Sequence, residues 1–167
     1  MSVDRKARAD LRNTLSSYMR DDIHTFAFDD RNSVYFEQGL TEDRSVREIG
    51  RVLWTIHDDL IDHPISVSPE CWPMLKRAVT FLGTDLELAG AAPRAPLPEF
   101  WPFRDEPEWL ANEPSDSDRR IPEYDPEIHS RRVQPWWNRI PTGVGLAVIL
   151  GVLAVFVLMM ALARAGQ

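Results

Sequence analysis

Val144 to Ala163, VGLAVILGVLAVFVLMMALA, is a run of twenty residues without one charged side chain, and it constrains this chain more than any other feature. As a helix rising about 1.5 Å per residue it is about 30 Å long, the thickness of the hydrocarbon layer of a bilayer. Twelve of the twenty residues are Leu, Ile, Phe or Val, and at roughly −0.3 to −0.6 kcal/mol each they favour insertion by about 4–7 kcal/mol. Residues 1–90 are the only stretch with an ordinary globular mixture of side chains. A core of that size is too small to wrap a helix that is apolar on every face. The run therefore predicts one transmembrane helix within residues 142–164, with the lipid bilayer as a partner.

The flanks fit that expectation. Trp136 and Trp137 precede the span, where amphipathic rings favour the headgroup region, and Arg139 and Arg164 bracket it as ends that can snorkel. Pro141 and Thr142 make a helix start. Arg131, Arg132 and Arg139 lie on the N-terminal side and only Arg164 on the other, so the positive-inside rule predicts a single-pass membrane protein with its N-terminal bulk in the cytoplasm. The N-terminus, MSVDRKARADLR, has no apolar stretch and predicts no cleavable signal peptide. Only Arg164, Ala165, Gly166 and Gln167 follow the run, which predicts insertion after synthesis. This layout resembles that of tail-anchored proteins; the resemblance covers residues 136–167 and implies an anchor without an activity. Gly143, Ala147 and Gly151 recur every fourth residue and form a small-residue face through which two such helices can approach, a route to a homo-oligomer.

Residues 91–141 read as a proline-rich, acidic and aromatic linker. Nine prolines between Gly90 and Pro135, at 93, 96, 98, 102, 107, 114, 122, 126 and 135, exclude a long helix or a central strand there. Linkers are usually poor in aromatics, so Phe100, Trp101, Phe103 and Trp109 need a surface to bury against. Three expectations follow: the rings fold back over the N-terminal core, they dock on a partner protein, or they make shallow membrane contact, which the surrounding acidic residues disfavour.

Within residues 1–90 the apolar spacing predicts a mainly α fold, a small bundle of three to four helices. A first helix from Ser2 carries Ala7, Leu11, Leu15 and Tyr18 on one stripe. Ile23, Phe26 and Phe28 follow, then Asp29-Asp30-Arg31-Asn32 reads as a turn and residues 33–40 as strand or loop. Ser45 and Glu48 fit a capping box ahead of Val46, Ile49, Leu53, Ile56 and Leu60, with Pro64 ending that helix near Asp62. Ser68-Pro69 predicts the start of another helix bearing Trp72, Leu75, Val79 and Leu82 and stopped by Gly83, although Pro73 favours a later start. Thr84 to Leu88 alternates like a short strand.

The net charge is −7 with no run of Lys or Arg, which excludes the basic stripe that nucleic-acid binding needs. A single cysteine, Cys71, rules out an intramolecular disulfide and reads as a small buried hydrophobe in a reducing compartment.

Two stretches invite metal chemistry. Asp58-Asp59-Leu60-Ile61-Asp62 resembles the D-D-x-x-D of class I isoprenoid synthases, whose aspartates bind magnesium inside a large all-α cavity opposite a second metal motif. No second motif is present, residues 1–90 cannot enclose such a cavity, and Asp58 and Asp62 fall opposite the apolar stripe of their helix. His57-Asp58 resembles the paired ligands of HD-domain phosphohydrolases, with His24 upstream and Asp85 downstream; that fold needs more helices than this chain supplies. The reading is therefore a charged helix end, Asp59 accepting structural hydrogen bonds and Asp58 and Asp62 solvated. No metal or cofactor is expected. The leading expectation is a membrane-tethered, non-enzymatic interaction or regulatory module with a protein partner. The rival is a small metal-dependent hydrolase built on His57, Asp58 and Asp62.

Overall fold

Helix α1, Arg5–Met19, starts where the Asp4 carboxylate accepts the Ala7 N–H, an N-cap satisfying one of the donors a helix start leaves open. Ala7, Leu11, Leu15 and Tyr18 all point into the core, so the first predicted stripe is observed. The helix ends in a Schellman turn: Asp22 N–H donates to the Ser17 carbonyl at 2.9 Å and Asp21 N–H to Tyr18 at 3.2 Å, with Asp21 left-handed at φ 64°.

The computed structural model describes residues 3–37, 39–56, 61–89, 97–114 and 121–129. The chain divides into two units, Met1–Arg132 and Val133–Gln167, and every described residue belongs to the first. Among the described residues there are six helices and no strand, so the mainly α expectation holds.

Helix α2, Thr25–Phe36, runs straight through the tetrapeptide read as a turn and through much of the segment left as strand or loop. The reason is Asn32. It does not turn the chain; it is fully buried and donates its side-chain N–H to the Gly50 carbonyl at 2.9 Å, so Phe28, Asn32 and Tyr35 share an inward face. Helix α3, Arg44–Trp54, packs along α2 and buries Val46, Ile49 and Leu53 as predicted. Its cap is Asp43 rather than Ser45: the Asp43 carboxylate accepts from Ser45 and Val46 N–H. It also stops short of the predicted end. Thr55 donates its hydroxyl to the Val52 carbonyl at 2.7 Å and Ile56 N–H bonds to Leu53, tightening the last turn before Pro64 is reached.

Helix α4, Trp72–Phe81, buries Trp72, Leu75 and Val79, with Leu82 and Gly83 just beyond it. Ser68 and Pro69 form a preceding turn instead of the cap, which leaves Pro73 in the first helical turn, where its missing N–H costs nothing. The predicted strand at 84–88 is an extended segment without a partner strand. Its backbone is satisfied by side chains: Leu88 N–H donates to Ser45 Oγ, and the Thr84 and Leu86 carbonyls accept from Arg8. Leu86 and Leu88 still pack on the core, so the alternation was packing, not pairing.

The described parts of the predicted linker belong to the folded unit. Helix α5, Glu106–Asn112, is capped by Asp105 accepting from Glu108 N–H, and α6 is a single turn, Pro126–His129. Both are short, as the prolines require. No helix among the described residues is long and apolar enough to cross a membrane. Val144–Ala163, with Trp136, Trp137, Arg139, Gly143, Ala147, Gly151 and Arg164, lies outside the described residues.

Candidate functional site

Of the aspartates in the D-D-x-x-D stretch, Asp58 and Asp59 lie outside the described residues, together with His57 and Leu60. Asp62 is described, and it is not simply solvated. Its Oδ1 accepts the Phe26 N–H at 3.1 Å and the neighbouring His63 carbonyl accepts both the N–H and the hydroxyl of Thr25, so residues 62–63 cap the start of α2 from a distant part of the chain. His24 supplies no capping bond of its own and lies 3.6 Å from Asp62 and 3.7 Å from Asp21. His63 is buried, with Nδ1 against the Pro64 carbonyl.

Of the HD-type set, the described members His24 and Asp85 are not brought together. His24 follows the C-terminal end of α1, whereas Asp85 is bound to Arg5 at its N-terminal end, 2.6 Å from Nη2 to Oδ2. The fifteen residues of α1 separate those ends by about 22 Å at 1.5 Å per residue, too far to share an ion. The Arg5 partner holds the Asp85 carboxyl below the usual carboxylate range. No group of three His, Cys, Asp or Glu side chains among the described residues is placed to hold a metal.

A buried, heavily bonded polar cluster among the described residues went unrecognised in the sequence. Arg8, 2 % exposed, donates Nε to Asp43 Oδ2 at 2.7 Å and Nη2 to Oδ1 at 3.3 Å, while Nη1 donates to the carbonyls of Thr84 and Leu86, each at 2.7 Å. Asp43 accepts in addition from Asp4 N–H. Asp4 in turn accepts the Thr41 hydroxyl at 2.9 Å, and the bonds from Ala7 N–H and Thr41 hold its carboxyl below the usual range. One guanidinium thus ties the starts of α1 and α3 to the segment after α4, with its donors aimed at protein acceptors. The only sequence hint was Asp43, three residues before the first apolar residue of α3. Beside it, Arg5, Arg8, Arg12, Gly83 and Asp85 line an open cleft of about 550 Å³. A second cleft, of about 490 Å³, lies between α1 and α2 and includes Asp10, Asp30, Arg31 and Tyr35.

Of the four aromatic docking candidates, Trp101 and Phe103 are 4 % and 3 % exposed and sit in this chain's own core. Phe103 meets Phe81 edge-on at 5.3 Å and Trp109, half-buried, tilts against it at 5.3 Å. Arg77 donates to the Trp101 carbonyl and lies 6.0 Å above the Phe100 ring; burial pushes its guanidinium pKa down. Trp101 and Phe103 follow the fold-back expectation; as rings for a partner they are unavailable while so packed. Cys71 is half-buried rather than buried, with Ser68 Oγ 3.5 Å from its sulfur.

His129, for which nothing in the sequence stands out, is buried on the Trp72 ring at 4.2 Å. Its Nδ1 accepts the Asp125 N–H at 2.8 Å, and burial pushes its pKa down. Comparison with protein-family models, with curated proteins and with solved structures finds no match for this chain.

Proposed function

We propose that this chain is a membrane-tethered, non-enzymatic interaction module: a helical unit displayed in the cytoplasm by the Val144–Ala163 run acting as a single transmembrane helix. The observation that carries the reading is that run, twenty residues with no charged side chain, worth about 4–7 kcal/mol toward insertion. Tethering raises the local concentration of the unit near membrane partners without adding a contact. Trp136, Trp137, Arg139 and Arg164 act as interface anchors, and Gly143, Ala147 and Gly151 offer a face for pairing two copies. The distribution of polar side chains supports a binding role over a catalytic one: Arg8, Asp43, Asp62 and His129 are committed to tying segments together. The test is alkaline carbonate extraction of membranes from cells expressing the full chain. Retention in the pellet is expected; release of intact chain into the supernatant would overturn the proposal. Titration of the detergent-solubilised chain with Mg²⁺, Mn²⁺ and Zn²⁺ separates it from a hydrolase using His57, Asp58 and Asp62, since saturable binding lost in Asp58→Ala would favour the enzyme.

A further inference from the structure

Residues 121–129 are fastened to the helical unit by a small set of bonds that converge on two rings. Trp72 Nε1 donates to the Pro122 carbonyl at 3.1 Å, the Tyr124 hydroxyl to the Val67 carbonyl at 3.3 Å, and Val67 N–H to the His129 carbonyl at 3.0 Å. Lys76 pairs with the exposed Glu123 at 2.9 Å, a contact of little worth in water. The imidazole of His129 stacks on Trp72, interplanar angle 26°, and lies 5.5 Å from the Tyr124 ring. It is 4 % exposed, so no water is at hand to absorb a new charge.

The bonding pattern admits one protonation state. Nδ1 accepts the backbone N–H of Asp125 at 2.8 Å, which engages the lone pair a second proton would need. The ring is therefore neutral with the proton on Nε2. A second proton on Nδ1 would face the Asp125 N–H, donor against donor. We infer that residues 121–129 form an acid-released clasp, in which protonation of His129 breaks the Asp125 bond and detaches the segment from Trp72 and Val67. The charges that reach His129 are the carboxylates of Asp125, on its own segment, and Asp21, in the turn after α1. Both favour the imidazolium. Asp125 Oδ1 is already engaged by Glu127 N–H, and Asp21 lies beside His24. Trp72 brings no charge, and Tyr124 meets the imidazole through its ring. Desolvation outweighs the two carboxylates, since the balance leaves the His129 pKa below its ordinary value.

Resting on the tether reading above, the clasp sets how far the helical unit can stray from the membrane. With it closed, fourteen residues, 130–143, precede the apolar run, and at about 3.5 Å each they reach at most about 50 Å. With it open, the nine residues 121–129 add to that length, about 30 Å more at full extension. Acidification thus lengthens the leash.

The test uses the full chain in lipid nanodiscs. Hydrogen exchange of peptides covering 121–129, corrected for the intrinsic pH dependence, is compared between pH 8 and pH 5, alongside the imidazole titrations of the four histidines by NMR. Protection of 121–129 should fall at least tenfold at the acid end, while α1 and α3 keep theirs, with a midpoint matching that of His129. His129→Asn keeps an acceptor near the Nδ1 position but cannot titrate, and should flatten the response. Unchanged protection down to pH 5, a midpoint belonging to another histidine, or the same acid response in His129→Asn would overturn the clasp. Where His129→Asn is open throughout, the wild-type midpoint decides. Failure of carbonate retention would remove the tether and leave the clasp standing, so the two proposals fail separately.

Discussion

Arg8 binds four acceptor atoms from two segments, and its removal leaves two different debts: the Asp43 carboxylate loses its counter-charge, and two backbone carbonyls lose their donor. Breaking one side of a buried pair costs about 3–5 kcal/mol because a charge remains in low dielectric. Arg8→Leu should therefore lower stability by that amount in urea denaturation. Arg8→Lys should recover little, since a single ammonium cannot reproduce a planar fork that spans Asp43 and the 84–86 backbone. Asp21 runs the other way. It holds a left-handed conformation, φ 64°, at the position of the Schellman turn where glycine is most at ease. Asp21→Gly should stabilise the chain by about 0.5–1 kcal/mol, read as a raised thermal midpoint at pH 8. Gly83, immediately after α4, shows the reverse constraint: a Cβ there would lie 2.9 Å from Arg12 Cζ, so Gly83→Ala must displace that guanidinium.

Among the elements, α2 depends most on distant chain. Its first N–H groups are satisfied by the His63 carbonyl and the Asp62 carboxylate, not by a side chain at its own N-cap. Asp62→Ala should cost about 1 kcal/mol, an N-cap's worth, and speed exchange in the first turn of α2 about fivefold. Carboxylates after α3 have a structural use: one of them closes the start of another helix. Helices whose apolar stripes repeat locally, such as Ala7-Leu11-Leu15-Tyr18 and Trp72-Leu75-Val79-Leu82, were legible in the sequence because burial follows helical spacing. Helix α2 was not, because its inward face contains Asn32 and its outward face the charges that imitate a turn. The choice of Asp43 over Ser45 as cap depends on Arg8, thirty-five positions earlier, which no local window contains. The aromatic residues after Pro96 announced a need for burial but not the surface; only the position of Phe81 on α4 decides it. His129 fared worst, since a histidine on a one-turn helix shows nothing of the Trp72 ring beneath it.

At the scale of the whole molecule, a chain of net charge −7 with no run of Lys or Arg has little to draw it to an anionic leaflet, so the proposed membrane association rests on apolar insertion. That makes the proposal quantitative. The Leu, Ile, Phe and Val residues of the 144–163 run contribute about −4 to −7 kcal/mol, and an arginine at the centre of a span costs about 2.5–3.5 kcal/mol. One arginine should weaken insertion; two should cancel it. Leu153→Arg combined with Val157→Arg adds about 5–7 kcal/mol of cost and also removes two favourable side chains. The double variant should leave the carbonate-resistant pellet, while Arg8→Leu, which damages only the helical unit, should stay in it. A double variant still fully retained would mean that something other than the apolar run holds this chain to the bilayer.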